Sequence, residues 1–174
     1  MISQTSAAAM GSAIDSILAL DAASKTGWAF LDVDGSICSG RKDFSRAGSH
    51  GAVFHLFRRW LDETVNELAP AVLAYEVPSI GMANRVSGNT SRLLLGGLYG
   101  VTLGYAKAQH IACVEIAPSE AKKAVTGKGN AAKATVRQQV QTLGHAVESD
   151  DEADAVAVLL AACARLGIAS RRAA

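Results

Sequence analysis

Acidic side chains stand at three places in this sequence where carboxylates could act together. Asp21 and Glu76 each end a short apolar run, and five of the chain's 16 acids fall within 148–154, just before another apolar segment. Carboxylates without nearby His or Cys are hard oxygen ligands, which suit Mg²⁺ or Mn²⁺ and not zinc. Paired ions in such a site catalyse phosphoryl transfer. The residue types therefore predict a metal-dependent phosphoryl-transfer site.

The spacing within the acidic run selects a face of a helix. Asp151 and Asp154 are three residues apart, so both project from one helical face near its first turn. Asp150 lies four residues before Asp154 and shares that face as well. Helical spacing alone therefore leaves open whether Asp150 or Asp151 is the third acid of the site.

Helix capping is the competing interpretation of the same run. Ser149 and Glu152 have the spacing of a capping box, and acids in a first turn interact favourably with the helix dipole. Taken alone, the run is better explained as a cap. Glu76 is harder to explain structurally, because a lone Glu after the apolar run "VLAY" would be partly buried without a partner. The combination of the three acidic places favours the metal site.

Apolar patterns place these acids on an α/β fold. Asp34-Gly35 is a hairpin-turn dipeptide, which joins two of three initial strands into a meander. Helical and strand patterns then alternate, which predicts one mixed five-stranded sheet with helices on its faces. Two strands deliver a carboxylate to their C-terminal ends, where sites gather in open α/β sheets. The predicted strands are 17–21, 27–33, 36–44, 71–76 and 111–116, and the predicted helices are 51–68, 90–109, 119–124, 131–143 and 150–166.

Length and composition predict one compact domain over 16–168, with a disordered tail at 1–15 and a C-terminal tail at 169–174. Three scattered cysteines without a C-x-x-C pair predict reduced, buried thiols. The chain has no signal-peptide pattern at its start and no run of about 20 apolar residues. We therefore expect a cytoplasmic protein without a membrane partner.

Basic residues form a second group, although the net charge is only +1. Without the five clustered acids, 17 bases face 11 acids, a balance of +6. The glycine-rich loop "TGKGN" precedes a helix N-terminus, where exposed amides can bind a phosphate. A solvated turn with surface lysines is the alternative, and the loop alone favours it. The basic residues that could contact a nucleic-acid backbone are Lys122, Lys128, Lys133, Arg137, Arg85 and Arg92.

Glycines recur every four residues at 96, 100 and 104 in the helix predicted over 90–109. Small residues at this spacing let another helix approach closely. Packing against the protein's own sheet is the default interpretation, and a two-fold dimer interface is the more specific alternative.

The motifs together resemble the RuvC family of Holliday-junction resolvases, within the RNase H-like superfamily. "ILALDAASKTGWAFL" resembles the family's opening strand, loop and strand, with Asp21 as the first catalytic acid. "LAYEVP" is similar to the second motif and supplies Glu76. "DEADAVAVLLAA" resembles the closing D-x-x-D-A helix, which makes Asp151 and Asp154 the remaining acids.

The resemblance implies a homodimeric, Mg²⁺-dependent endonuclease that nicks two like strands of a four-way junction symmetrically. Two ions per site are expected, with Mn²⁺ able to substitute. "KKAVTGKGNAAKATV" resembles the family's lysine-bearing segment, which places Lys122 and Lys133 where the family uses lysines for DNA contact and activity. Lys122 is expected near the scissile phosphate. Whether a helicase partner takes part is not fixed by the residues.

Three other functions are alternatives to junction resolution. Another RNase H-like nuclease would act on flaps or RNA–DNA hybrids. A non-catalytic junction-binding module would keep the fold, but the presence of all four acids argues against it. An actin-like ATPase needs two lobes, and this chain is too short for them.

Overall fold

In a computed structural model, the described residues are 16–78 and 89–168, and they contain one five-stranded sheet. The strands lie in the order β3-β2-β1-β4-β5. β1, β2 and β3 form an antiparallel meander, whereas β4 pairs parallel with both β1 and β5. The strands are β1 (Ile17–Asp21), β2 (Lys25–Leu31), β3 (Ile37–Asp43), β4 (Val72–Glu76) and β5 (Ala112–Ile116).

Five helices accompany the sheet in the described ranges. Their bounds are α1 (His50–Leu68), α2 (Asn89–Ala108), α3 (Pro118–Thr126), α4 (Lys133–Thr142) and α5 (Asp150–Leu166). The predicted order of strands and helices is confirmed, and so is the mixed sheet with helices on both faces. The tails predicted at 1–15 and 169–174 lie outside the described residues.

Strand alternation divides the apolar residues between two cores. Successive side chains on a strand point to opposite faces, so Ile17 and Ala19 of β1 pack with α3, α4 and α5. Leu18 and Leu20 instead pack with α1 and α2. We name these two sides of the sheet the α5 face and the α1 face. The alternation matters for function because it also decides which face a strand-end carboxylate joins.

α5 covers the centre of the sheet on its own face. Ten of its 17 residues are buried, among them the small residues Ala153, Ala155 and Ala157. Small side chains let the helix lie close to β1 and β2, which it contacts directly. The N-terminus of α5 is thereby fixed next to the strand ends.

The second strand begins and ends two residues earlier than predicted. Asp32 starts a turn in which its carbonyl accepts from the Gly35 N–H at 2.9 Å, and its own N–H donates to Ser36 at 2.9 Å. Val33 is therefore part of a turn and is 70% exposed, although its apolar side chain suggested a strand. Apolarity at a hairpin tip is a weaker signal than the turn chemistry of Asp-Gly.

The cysteine prediction is partly wrong. All three thiols are free, but only Cys163 is buried, whereas Cys38 and Cys113 are exposed. Cys38 and Cys113 lie on the outer strands β3 and β5, where a side chain has no second neighbouring strand to cover it. In the part of the chain that the structure describes, no helix has the length and apolarity of a membrane span.

Candidate active site

Asp21 and Glu76 meet at the ends of two neighbouring strands. β1 and β4 run parallel with Leu20 opposite Tyr75, so the next position along each strand places Asp21 beside Glu76. Both carboxylates follow residues of the α5 face at intervals of two, and therefore project toward α5. The predicted convergence of the two strand-end acids is thus built by parallel pairing and side-chain alternation.

Gly27 brings α5 close to these two acids. It pairs with Asp21 across the β1–β2 ladder. A Cβ at Gly27 would lie 1.8 Å from the backbone oxygen of Asp151, which is far inside van der Waals contact. The first turn of α5 therefore lies directly on the β2 backbone, a position that only glycine permits. This close approach carries Asp151 and Asp154 to the sheet end.

A cleft of about 290 Å³ opens at this edge of the sheet. Three of the four predicted acids line it, together with two lysines. Aromatic and apolar side chains from β4 and α2 form the other wall. The charged residues lining the cleft are Asp21, Glu76, Asp154, Lys122 and Lys133, and the wall from β4 and α2 includes Tyr75, Leu95, Tyr99 and Thr102.

The strand-end acids are short of compensating positive charge. Burial raises the pKa of Asp21 to about 7, and the Asp154 charge adds to the rise while Lys133 opposes it. Burial likewise raises the pKa of Glu76 to about 7, with the charges of Asp21 and Asp154 adding to it. Such shifts arise where carboxylates are crowded in a poorly solvated site. A bound cation would supply the missing charge.

The acids on α5 have cationic partners from other elements. Lys133 Nζ lies 2.7 Å from Asp154 Oδ2, and Arg41 lies 3.8 Å from Asp151 Oδ2. Burial lowers the pKa of Lys133, but its hydrogen bond to Asp154 and the charges of the neighbouring acids together outweigh burial, so that the pKa lies above that of a free lysine. Two protein cations therefore take up part of the negative charge at the site.

Asp150 and Asp151 have different partners. Asp150 contacts Arg137 of α4 at 3.4 Å. Asp151 instead acts electrostatically on Asp21. The geometry therefore favours Asp151 as the third acid, a choice that helical spacing left open.

The capping interpretation of the acidic run is confirmed beside the site. Ser149 is the N-cap of α5, and its side chain accepts from the Glu152 N–H at 3.2 Å. Glu152 Oε2 accepts from the Glu148 N–H at 2.9 Å and is buried. Cap and cleft thus use different residues of one turn.

The predicted basic residues take several positions. Lys122 and Lys133 line the cleft. Lys128 is exposed in the loop before α4 and is not among the residues lining the cleft. Arg137 donates to the Glu148 carbonyl at 2.8 Å, which braces the approach to α5. Arg92 lies in the first turn of α2, and Arg85 lies outside the described residues.

Sequence reasoning missed Arg41 and the role of Gly27. Both lie in one row across the sheet, since Asp21 pairs with Gly27 and Gly27 pairs with Arg41. An isolated glycine in a strand often marks a close backbone approach, and that signal was present. Counting the register back from the Asp34-Gly35 turn would have placed Arg41 in the same row.

The residues present fit a divalent metal. Carboxylate oxygens without Cys or His are the donors that Mg²⁺ prefers. Asp21 and Glu76 are partly buried and have raised pKa values, as expected where carboxylates crowd together in a poorly solvated site. Within 16–78 and 89–168, no three Asp, Glu, His or Cys side chains already stand in the arrangement of a metal site.

A mixed sheet in the order β3-β2-β1-β4-β5, with acids at the ends of β1 and β4 and on the last helix, defines an RNase H-like protein. The family model described as "Crossover junction endodeoxyribonuclease RuvC" matches residues 22–163. The chain belongs to the RuvC family. The resemblance drawn from the motifs is confirmed.

Two relatives illustrate the range of similarity. A crossover junction endodeoxyribonuclease RuvC of Anaeromyxobacter dehalogenans is 36% identical over 110 residues, covering 63% of this chain and 57% of the relative. The same-named protein of Chlorobium phaeobacteroides is 30% identical over 160 residues, covering 87% of this chain and 82% of the relative. A relative from Pseudothermotoga lettingae is matched over 52% of its length. The chain therefore spans little more than half the length of this relative and of the one from A. dehalogenans.

Solved structures share the fold. The structure titled "Thermus thermophilus RuvC structure" has a TM-score of 0.67 at 20% identity, covering 89% of this chain and 98% of that one. The structure of T. thermophilus RuvC in complex with Holliday junction substrate has a TM-score of 0.70 at 21% identity, with the same coverage. At these identities the likeness establishes the RNase H-like architecture.

Proposed function

We propose that this chain is a metal-dependent endonuclease that resolves four-way DNA junctions by symmetric nicking. The observation that carries the proposal is the cleft in which Asp21, Glu76 and Asp154 stand with Lys122 and Lys133. The names of its relatives and the junction-bound structure of a family member agree with this activity. Residues 16–168 would act as one nuclease domain.

The acids would hold two Mg²⁺ ions, for which Mn²⁺ could substitute. Asp21 would contact both ions, Glu76 and Asp154 would hold one each, and Asp151 would complete the site. When bound, the ions would activate water and stabilise the leaving oxygen during phosphodiester hydrolysis. Cleavage would leave a 5′-phosphate and a 3′-hydroxyl.

The protein's own cations would position the DNA. Lys122 lines the cleft beside Glu76, on which its charge acts, and can hold the scissile phosphate. The N-cap of α4 is Ala132, which makes no side-chain cap, so backbone amides there can bind a flanking phosphate near Lys128. The further residues proposed to contact the DNA backbone are Lys133, Arg137, Arg85 and Arg92.

A homodimer would present two such clefts to the two-fold symmetry of a junction. The face of α2 that carries Gly96, Gly100 and Gly104 has no atom within 4 Å of an added Cβ, and Leu93 is 68% exposed. This open apolar face supports close helix packing between two copies. Sedimentation of Gly100→Lys should give a monomer, whereas Gly51→Lys on α1, which also has open space, should remain dimeric.

The activity is tested with a panel of a synthetic four-way junction, a flap and an RNA–DNA hybrid in Mg²⁺. Symmetric nicks in the junction, and much slower cleavage of the other two, are expected. Preferred cleavage of the flap or hybrid would replace junction resolution by the rival nuclease function. Junction binding without cleavage in Mg²⁺ or Mn²⁺ would indicate a non-catalytic module.

A further inference from the structure

Lys133 lies on the acidic site and not on an outlying basic surface. Its Nζ donates a 2.7 Å hydrogen bond to Asp154 Oδ2. The lysine side chain is 61% exposed, whereas that of Asp154 is only 14% exposed. The same ammonium charge acts on Asp21 and Glu76 and partly offsets the rise in their pKa values. Its charge also interacts with Asp151, so one lysine acts on all four acids.

The fold lets this side chain move without moving its helix. Lys133 is the first residue of α4, and the helix is anchored further along by the buried residues Val136 and Val140. A lysine ammonium is a compact charge on a flexible four-carbon stem. Because most of the side chain is in solvent, the ammonium can leave Asp154 without uncovering any apolar core.

We propose that Lys133 is the resident counter-cation of the metal-free site, and that a divalent ion must displace it from Asp154. The inference rests on the metal-dependent function proposed above. A divalent ion that binds Asp154 Oδ2 and an ammonium at 2.7 Å from the same oxygen would repel each other strongly, so the two compete. The displaced ammonium remains at the cleft, where it can contact a DNA phosphate.

Competition between Lys133 and the metal ion would lower the apparent metal affinity by a factor that can be calculated. The apparent affinity of a ligand falls in proportion to the fraction of protein that can accept it, so a lysine in place nine times in ten weakens binding about tenfold. Replacing Lys133 by an uncharged side chain of similar length should therefore strengthen metal binding. A residue essential only for positioning DNA would not change metal affinity in the absence of DNA.

The experiment measures Mn²⁺ binding without DNA, by electron paramagnetic resonance of the free ion, for the wild type and three lysine variants. Lys133→Met should bind Mn²⁺ about tenfold more tightly. Lys122→Met also removes a charge from the cleft, but Lys122 makes no hydrogen bond to an acid among the described residues, so its gain should be clearly smaller. Lys123→Met, an exposed neighbour that does not line the cleft, should match the wild type.

A second readout is the melting temperature. Without metal, Lys133→Met should melt below the wild type, because the acids lose their counter-charge, and the gap should close in saturating Mn²⁺. Lys133→Met affinity equal to the wild type, or a gain no larger than that of Lys122→Met, would overturn this inference while leaving the metal site intact. Absence of Mn²⁺ binding in every protein would overturn the proposed function and the inference with it.

Discussion

The four acids stand at one end of the sheet, where three of them line the cleft, and the two pairs differ in the element that carries them and in their electrostatics. Asp21 and Glu76 end buried strands, and burial raises the pKa of each to about 7. Asp151 and Asp154 project from the first turn of α5 and pair with Arg41 and Lys133. The charges of nearby lysines therefore only partly compensate the strand pair, whereas each acid of the helix pair contacts a protein cation directly.

This difference indicates a division of labour. The β1–β4 register holds the two strand-end carboxylates side by side, and their combined negative charge favours binding of a cation. The acids of α5 can exchange a lysine or an arginine for another cation at small structural cost, since those partners are largely exposed.

Asp21→Asn should cause the largest loss. Asp21 is the acid on which both Asp154 and Asp151 act, so it is central to the set. Removing one member of a catalytic group that acts as a unit typically costs about a thousandfold or more in rate. Nicking of a four-way junction in Mg²⁺ should fall by that factor, while junction binding measured by gel shift is retained.

The control for this variant is its stability. A neutral amide removes a buried charge, so metal-free Asp21→Asn should melt no lower than the wild type at pH 8. Full nicking activity in a folded Asp21→Asn protein would contradict the assignment of the site.

Gly27→Ala should separate the two pairs of acids. The added Cβ would lie 1.8 Å from the Asp151 oxygen, so α5 must shift away from β2. Overpacking of this kind costs about 1–3 kcal/mol of stability. A displacement of about 1 Å in a catalytic group can cost about a hundredfold in rate. Denaturant unfolding and junction nicking measure the two effects.

Gly51→Ala is the matched control, because Gly51 is helical, exposed and has no atom within 4 Å of an added Cβ. It should gain slightly in stability through helix propensity and keep full activity. Equal behaviour of the two alanine variants would show that the close approach at Gly27 does not position α5.

The order of strands and helices, the capping box and the candidate acids could all be predicted from sequence. These features depend on local patterns: strand alternation, helical spacing, the Asp34-Gly35 turn and the Ser149-x-x-Glu152 motif. Asp21 and Glu76 could be paired because parallel strands bring their C-terminal ends to one edge. Local rules were sufficient wherever a residue's role follows from its own element.

Contacts between elements could not be predicted in the same way. Lys133 was predicted to contact DNA, and its bond to Asp154, 21 positions along the chain, was not foreseen because it arises from the packing of α4 beside α5. Arg137 was predicted to contact a phosphate, and its contacts with Glu148 and Asp150 were likewise not foreseen. These contacts depend on how α4 and α5 pack against each other, and that packing cannot be derived from the residue spacing within either helix.

A comparison of Asp151→Asn with Asp150→Asn should show which of the two acids supports the metal site. Asp151 acts on Asp21 and contacts Arg41, whereas Asp150 contacts Arg137 of α4. Loss of a group that supports a metal site commonly costs about 10–100-fold in affinity or activity. Asp151→Asn should lose nicking to that extent, and Asp150→Asn should stay within about twofold of the wild type, since an N-terminal charge contributes only about 0.3–1 kcal/mol to the helix. The reverse ranking would make Asp150 the third acid.

The smallest effect is expected in the pH dependence of stability without metal. Asp21 and Glu76 have pKa values near 7 in the folded protein, above the ordinary values of 3.8 and 4.5. The folded state therefore binds more protons than the unfolded state between about pH 4 and pH 7, so stability falls as pH rises through this window. Thermal melting in EDTA from pH 4 to pH 8 should show a decline that is shallower in Asp21→Asn, because one of the two raised carboxyls is absent. Parallel curves for the two proteins would mean that Asp21 is already compensated, and the contrast between strand acids and helix acids would fail.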